Sequence, residues 1–155
     1  MPYPLSHNEQ PSSVLFACNM NAVRSPMAAG LLRHLVGRRI YVRSAGVRVG
    51  TIDHFAIEAM NEIGVDISGH RPKTLFDLQD AAFDAIISLT PEAHHQALEF
   101  TRTMSVDVSY WPTLDPTLHI GNGSRDQILT GYRSCRDFLF NSILKRFRLT
   151  APPVV

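Results

Sequence analysis

The chain has 155 residues, a length that suits one domain with its own hydrophobic core. Apolar residues make up 45% of it and charged residues 19%, a composition that excludes an intrinsically disordered chain. Fifteen basic and 14 acidic residues give a net charge of +1, so no strong electrostatic attraction to nucleic acid or membrane is expected.

The two ends of the chain differ in composition from its middle. Residues 1–12 are polar and proline-rich, and we expect an irregular N-terminal extension there. We expect a single domain over 13–150, followed by an irregular tail over 151–155. No internal repeat or low-complexity tract divides the domain.

Short apolar runs and helical periodicities alternate through this domain. Continuous apolar runs bounded by turn residues are typical of strands buried in a parallel sheet, and apolar residues three and four apart are typical of helices. Strands are predicted at 14–17, 40–45, 83–89 and 106–110, and helices at 25–36, 53–63, 75–79, 91–100 and from 125 onward. The alternation indicates an α/β protein with a mostly parallel sheet.

Local signals support the helix boundaries. The helix over 53–63 starts at Asp53, a typical N-cap residue, ends before Gly64 and is predicted to bury Ile63. The segment 111–124 is rich in turn residues, and no regular structure is expected in it. The last helix has a predicted apolar face made of Ile128, Tyr132, Cys135, Leu139 and Ile143.

Cysteine and histidine are sparse. Cys18 and Cys135 are too few for a disulfide framework or a cysteine-rich zinc site. The histidine pair at 94–95 is predicted to be solvated, because adjacent helical side chains point in different directions. No signal-peptide pattern opens the chain, and no apolar run approaches the roughly 18 residues of a membrane span. We therefore expect a cytoplasmic protein whose thiols stay reduced.

The loop after the first predicted strand carries the strongest chemical signal. Ligands of parallel sheets bind beyond the carboxyl ends of the strands, and this loop contains Cys18, Arg24 and Ser25. A loop at a helix N-terminus directs N–H groups toward an anion, and the helix dipole favours a thiolate. Arg24 offers a planar fork for two phosphoryl oxygens, and Ser25 offers a hydrogen bond to the sulfur. Cys18 taken alone is more simply a buried cysteine, but the combination predicts phosphoryl transfer through a phosphocysteine.

The residues around this loop resemble a known family. Segment 14–28, VLFACNMNAVRSPMA, resembles the signature of the low-molecular-weight protein tyrosine phosphatases and the related arsenate reductases. SAG at 44–46, GVDISGHR at 64–71 and the dipeptide Asp115-Pro116 resemble further motifs of that family in the same order. The resemblance implies a three-layer α/β sandwich with a four-stranded parallel sheet of order 2-1-3-4, flanked by helices, with no metal and no cofactor.

The same resemblance implies a role for each site residue. Cys18 would be the nucleophile, Arg24 the phosphate clamp, and Asp115 the general acid and later the base for water. Asp115 lies on a long irregular loop, where an Asp-Pro dipeptide by itself would indicate only a turn. The residues implied in phosphate binding and loop support are Asn19, Met20, Asn21, Ala22, Val23, Ser25, Ser44 and His70.

The chain departs from the family pattern at several positions. Thr117 stands where an aromatic residue stacks on phosphotyrosine, and Met20 stands in place of a loop glycine. Ala22 and Val23 occupy the positions where family members carry an additional cysteine. These departures bear on phosphotyrosine selectivity more than on phosphatase chemistry.

We therefore expect a cysteine-dependent phosphomonoesterase of the protein-tyrosine-phosphatase type, acting on a phosphotyrosine protein or a small aryl phosphate. The sequence leaves the oligomeric state open. A thiol-dependent arsenate reductase is an alternative; the segment 87–95 contains no cysteine and Cys135 is predicted to lie in the core, so its reductant would be an external thiol such as glutathione. A non-enzymatic phosphate-binding or phosphocysteine carrier module is a further alternative, against which Arg24 and Asp115 argue.

Overall fold

The computed structural model describes residues 10–78, 81–119 and 123–150. The predicted irregular extension lies outside the described residues as far as residue 9, and the predicted tail at 151–155 lies wholly outside them. The division of the chain into an extension, one domain and a tail therefore stays a prediction.

The centre of the fold is a parallel four-stranded sheet. Its strands are β1 (Ser13–Cys18), β2 (Tyr41–Gly46), β3 (Ala85–Ser88) and β4 (Asp107–Tyr110). They lie side by side in the order β2-β1-β3-β4, and every pairing is parallel. This confirms the expected sheet order and makes β1 a central strand.

In the described part of the chain, four helices connect and cover the strands. They are α1 (Arg24–Val36), α2 (His54–Asn61), α3 (Pro91–Phe100) and α4 (Arg125–Arg146). Short 3₁₀ turns occupy Gly37–Arg39, Phe76–Leu78 and Pro116–His119. The last turn corrects the expectation that 111–124 has no regular structure: the Asp115 carboxylate accepts a hydrogen bond from the Thr117 N–H at 2.9 Å and starts the turn.

Alternate residues of β1 serve the two faces of the sheet. Val14 and Phe16 belong to the core shared with α1, α2 and α4, and Leu15 and Ala17 belong to the core shared with α3. All four are fully buried, because helices cover both sheet faces. The architecture is therefore the three-layer sandwich that the resemblance implied.

The predicted caps agree with the structure, and the predicted helix faces agree with it except at Ile63. Asp53 caps α2 by accepting from the Phe55 N–H at 2.7 Å, and Gly64 has the positive φ of 78° that suits glycine. Ile63 is exposed rather than buried, because α2 ends at Asn61. In α4, Tyr132, Cys135, Leu139 and Ile143 are buried as predicted, Ile128 is half-buried against the same core, and Leu129 is buried in addition.

Among the described residues, no helix has the length and apolar character required to cross a bilayer.

Candidate active site

Residues 18–25, which we call the cysteine loop, join the end of β1 to the start of α1. The segment 47–53 fastens this loop from outside. Its N–H groups donate to loop carbonyls in four bonds of 2.8–3.1 Å: Val47 to Cys18, Arg48 to Asn19, Gly50 to Met20 and Asp53 to Ala22. Four hydrogen bonds therefore hold the loop against the chain that follows β2, a contact that the sequence motifs did not show.

Asn21 is the internal support of the cysteine loop. It is fully buried with a φ of 53°, a left-handed conformation that asparagine tolerates better than most residues. Its Nδ2 donates to Ser25 Oγ at 2.8 Å and to Ser44 Oγ at 3.0 Å. Its Oδ1 accepts from the Lys73 N–H at 2.9 Å and lies 3.0 Å from His70 Nε2. The structure thereby brings together three predicted support residues around one buried amide.

His70 contacts the loop through a single ring nitrogen. Its Nε2 lies 3.0 Å from both the carbonyl oxygen and Oδ1 of Asn21, so this nitrogen carries the proton and donates. Burial is the main reason that the pKa of His70 falls to about 4. Lys73, Arg33 and Arg43 lower this pKa further by charge repulsion. The ring is therefore neutral at neutral pH.

The thiol of Cys18 is within hydrogen-bond distance of the Ser25 hydroxyl. Cys18 Sγ and Ser25 Oγ are 2.9 Å apart, and both residues are buried. Ser25 Oγ already accepts a hydrogen bond from Asn21, which leaves its own proton for the sulfur. The weaker competing acceptor, the Ala45 carbonyl, is 3.4 Å away. This arrangement can stabilise a thiolate.

Arg24 and Asp115 line one cavity together with Cys18. Arg24 Nη1 donates to the Thr113 carbonyl at 3.0 Å, and its Nη2 lies 3.9 Å from Asp115 Oδ2. Asp115 Oδ1 accepts from the hydroxyl of Thr117 at 2.6 Å, which leaves Oδ2 as the oxygen facing Arg24. The cavity has a volume of about 140 Å³ and is lined by Cys18, Met20, Ala22, Val23, Arg24, Asp53, Asp115 and Thr117.

The remaining predicted loop residues divide between the cavity and its supports. Met20 is 41% exposed at the rim, where its side chain can contact a substrate. Asn19 does not line the cavity; its Oδ1 accepts from Thr90 Oγ1 at 2.7 Å and joins the loop to the start of α3. The cavity lining also includes Asp53, whose Oδ2 accepts from Tyr132 at 2.8 Å.

Sequence reasoning missed Thr90, Thr113 and Asp53 as parts of this region. Thr90 and Asp53 lie in the segments that follow β3 and β2, beyond the same carboxyl ends of the sheet as Cys18. That position is the signal that could have identified them. Thr113 contributes a backbone carbonyl, which has no sequence signal at all.

The other cysteine and the histidine pair lie outside this cavity. Cys135 is 7% exposed, and burial raises the pKa of its thiol to about 12. His94 corrects the prediction of a solvated pair: its Nδ1 is 2.7 Å from Ser88 Oγ and its ring stacks on Tyr110, whereas His95 is exposed. Within the described part of the chain, no group of three potential ligands could hold a metal ion.

Known proteins match a large part of this chain. A glutaredoxin arsenate reductase of Synechocystis sp. is 36% identical over 76 residues, which are 49% of this chain and 58% of that relative. The matched part is therefore a little over half of the relative's length.

Solved structures extend the likeness over most of the chain. A structure described as an arsenate reductase in its oxidised state is 26% identical, with a TM-score of 0.73, and the match covers 88% of this chain and 97% of that one. The YwlE arginine phosphatase with a phosphorylated active-site serine is 25% identical, with a TM-score of 0.67, over 88% of this chain and 97% of its own. Residues 13–127 match the family described as low molecular weight phosphotyrosine protein phosphatase. This family match covers most of the chain, and the chain therefore belongs to the low molecular weight phosphotyrosine protein phosphatase family.

Proposed function

We propose that this protein is a cysteine-dependent phosphomonoesterase, a tyrosine phosphatase that acts on a phosphotyrosine protein or a small aryl phosphate in the cytoplasm. The observation that carries the proposal is the contact of Cys18 Sγ with Ser25 Oγ at 2.9 Å, in a cavity that Arg24 and Asp115 also line. A nucleophile, a cation and a proton donor around one cavity are what phosphoryl transfer to a thiolate needs.

The first step transfers the phosphoryl group to sulfur. The Cys18 thiolate attacks phosphorus, the S–P bond forms and the bond to the aryl oxygen breaks. Arg24 exchanges its contact with the Thr113 carbonyl for two phosphoryl oxygens, which it holds with a bidentate fork. Asp115 gives its proton to the departing phenoxide, so that a neutral phenol leaves.

The second step returns the enzyme to its starting state. The Asp115 carboxylate, now deprotonated, takes a proton from a water molecule whose oxygen attacks phosphorus. The S–P bond breaks, orthophosphate is released and Cys18 leaves as a thiolate. The Ser25 hydroxyl stabilises that leaving sulfur through the same 2.9 Å contact.

The test is hydrolysis of p-nitrophenyl phosphate by paired variants. Cys18→Ser is expected to abolish turnover, whereas Cys135→Ser keeps it, because Cys135 is buried outside the cavity. Asp115→Asn is expected to lower kcat by about 10²–10⁴-fold. Asp137→Asn on the exposed side of α4 serves as its control.

Two results would count against the mechanism. Full activity in Cys18→Ser contradicts a sulfur nucleophile. A phosphocysteine that forms on wild-type protein but hydrolyses no faster than it does in the Asp115→Asn variant fits a phosphocysteine carrier instead. Mass spectrometry of the acid-quenched protein distinguishes this outcome from ordinary turnover.

Arsenate reduction is a second candidate, favoured by the 36% identity to a protein named glutaredoxin arsenate reductase. Cys18 Sγ would form a bond to arsenic while one arsenate oxygen leaves as water, and an external thiol would then attack the sulfur. Arsenite then leaves with the electron pair, and a mixed disulfide forms on Cys18. A second external thiol would release Cys18. Cys135 would not take this role, because burial raises the pKa of its thiol to about 12 and keeps it protonated.

The test for this candidate is arsenite formation from arsenate with glutathione or dithiothreitol present. Arsenite formation that requires Cys18 and an added thiol supports reduction. No arsenite with either thiol, in protein that hydrolyses p-nitrophenyl phosphate, removes the candidate.

A further inference from the structure

A second concave surface lies apart from the cysteine cavity. This groove has a volume of about 650 Å³ and shares no lining residue with that cavity. Four cationic side chains line it: Arg33 of α1, Arg43 of β2, and Arg71 and Lys73 of the segment between α2 and β3. We call it the basic groove.

Three of the four cations have neutral hydrogen-bond partners. Arg33 donates to the Val42 carbonyl at 2.8 Å, and Arg43 donates to the Tyr41 hydroxyl at 2.8 Å. The ammonium group of Lys73 donates to the Arg71 carbonyl at 2.8 Å.

The acidic groups nearby do not compensate this charge. Asp66 lines the groove, but its Oδ1 accepts from the Ser68 N–H at 2.8 Å. Asp77 attracts Lys73 without an ion-pair contact. Among residues 10–78, 81–119 and 123–150, no carboxylate forms an ion pair with any of the four cations. The groove therefore holds an excess of positive charge.

Three of these cations, Arg33, Arg43 and Lys73, lie close enough for charge repulsion to affect the pKa values of Arg33 and Lys73. Burial lowers the pKa of Lys73, and repulsion from Arg43 and Arg33 lowers it further. The pKa of Arg33 falls for the same two reasons, with Arg43 as the repelling neighbour. An anion in the groove would relieve this repulsion, and one with several negative charges would relieve most of it.

We propose that the basic groove is a second anion site that binds a diphosphate group, either free or carried by a nucleotide. Several cations around one groove suit two linked phosphates better than a single charge, and guanidinium groups bind phosphate oxygens in bidentate fashion. The volume lies within the range of small-molecule sites. The site is adjacent to the cysteine loop, because His70 lines the groove and also contacts Asn21.

The test is calorimetric titration with inorganic pyrophosphate, and separately with ADP, at fixed ionic strength. The protein carries Arg24→Ala, which removes the guanidinium of the cysteine loop, so that remaining binding reports the groove. One equivalent of pyrophosphate is expected to bind. Adding Arg71→Glu is expected to weaken binding by about tenfold or more, because Arg71 is exposed in the groove and its side chain forms no hydrogen bond or ion pair with a described residue.

The matched control is Arg38→Glu, an equal charge change at an exposed arginine outside the groove. It is expected to leave pyrophosphate affinity unchanged within about twofold at fixed ionic strength. Arg43→Glu is a second groove variant with the same expectation as Arg71→Glu. Binding of ADP with equal or higher affinity identifies a nucleotide as the source of the diphosphate, and binding of pyrophosphate alone identifies the free anion.

Absence of binding to the Arg24→Ala protein overturns the proposal. So does an equal loss of affinity in Arg38→Glu and Arg71→Glu, which would mean attraction by net charge only. Neither result depends on turnover, so the outcome is independent of the phosphatase and reductase assignments.

Discussion

Asn21 illustrates how much of the site depends on a single side chain. Its two amide protons are donated to Ser25 of the same loop and to Ser44 of β2, and its carbonyl oxygen accepts from the Lys73 N–H. A buried amide with this number of partners is costly to replace, because each lost bond leaves another buried polar group unsatisfied. The left-handed backbone at this position adds a second constraint, which few residues meet as easily as asparagine.

The cysteine loop also depends on Gly46, because there is no room for a side chain at that position. A Cβ there would lie 2.5 Å from the Arg48 carbonyl oxygen and 2.7 Å from the Asn21 nitrogen, so Gly46→Ala must displace the cysteine loop. We expect kcat/KM for p-nitrophenyl phosphate to fall about 10²-fold, the effect of a misplaced catalytic group.

Gly69→Ala is the control for this substitution. A Cβ at Gly69 meets no atom within 4 Å, so activity should be unchanged. Equal activity in the two variants would show that the loop accommodates the extra carbon.

At the scale of elements, the N-cap residue of α3, Thr90, makes two kinds of hydrogen bond. Thr90 caps the helix by accepting from the Ala93 N–H at 3.1 Å, and it donates its own proton to Asn19 Oδ1 at 2.7 Å. The end of β3 is thereby joined to the cysteine loop as well as to its own helix. Ser124 caps α4 by accepting from the Gln127 N–H, with no contact to the loop.

The two caps give a matched pair of substitutions. Thr90→Ala and Ser124→Ala should each lower the free energy of unfolding by about 0.5–2 kcal/mol through the lost cap. Thr90→Ala should lose about 1 kcal/mol more and should also reduce kcat, because Asn19 loses its partner. Urea unfolding and p-nitrophenyl phosphate turnover measure the two effects. A similar fall of kcat in both variants would mean that lost stability, rather than the tie to the loop, affects turnover.

At the scale of the whole molecule, the half-buried, neutral His70 couples stability to pH. Its pKa is about 4 in the folded protein against an ordinary value of 6.5, chiefly because of burial. Between these values the unfolded chain binds a proton that the folded protein does not. The free energy of unfolding contributed by this group is therefore present above about pH 6.5 and is lost as the pH falls toward 4.

The prediction is that wild-type protein is less stable at pH 5 than at pH 7 in urea unfolding. His70→Gln should reduce this difference, since glutamine can donate to Asn21 without titrating. His95→Gln, at an exposed histidine, should leave the difference unchanged. Arginine hydrogen bonds lower the pKa of Glu62 to about 2, so its contribution is lost below this interval. If His70→Gln shows the same stability difference between pH 5 and pH 7 as the wild-type protein, other groups cause the pH dependence.

The sequence was sufficient for those features that neighbours along the chain determine. Hydrophobic runs and periodicities predicted the four strands and the long helices, and local hydrogen-bonding chemistry predicted the cap at Asp53. The spacing of Cys18, Arg24 and Ser25 placed the candidate site, because the three residues belong to one strand–loop–helix unit.

Only the tertiary structure decided which distant groups complete that unit. The Thr113 carbonyl that holds Arg24, the Thr90 hydroxyl on Asn19 and the packing of His94 on Tyr110 join segments far apart in the chain. The basic groove likewise collects cations from three separate segments. Such contacts follow from how the layers pack, and side-chain periodicity records only whether a residue is buried and not which residue it meets.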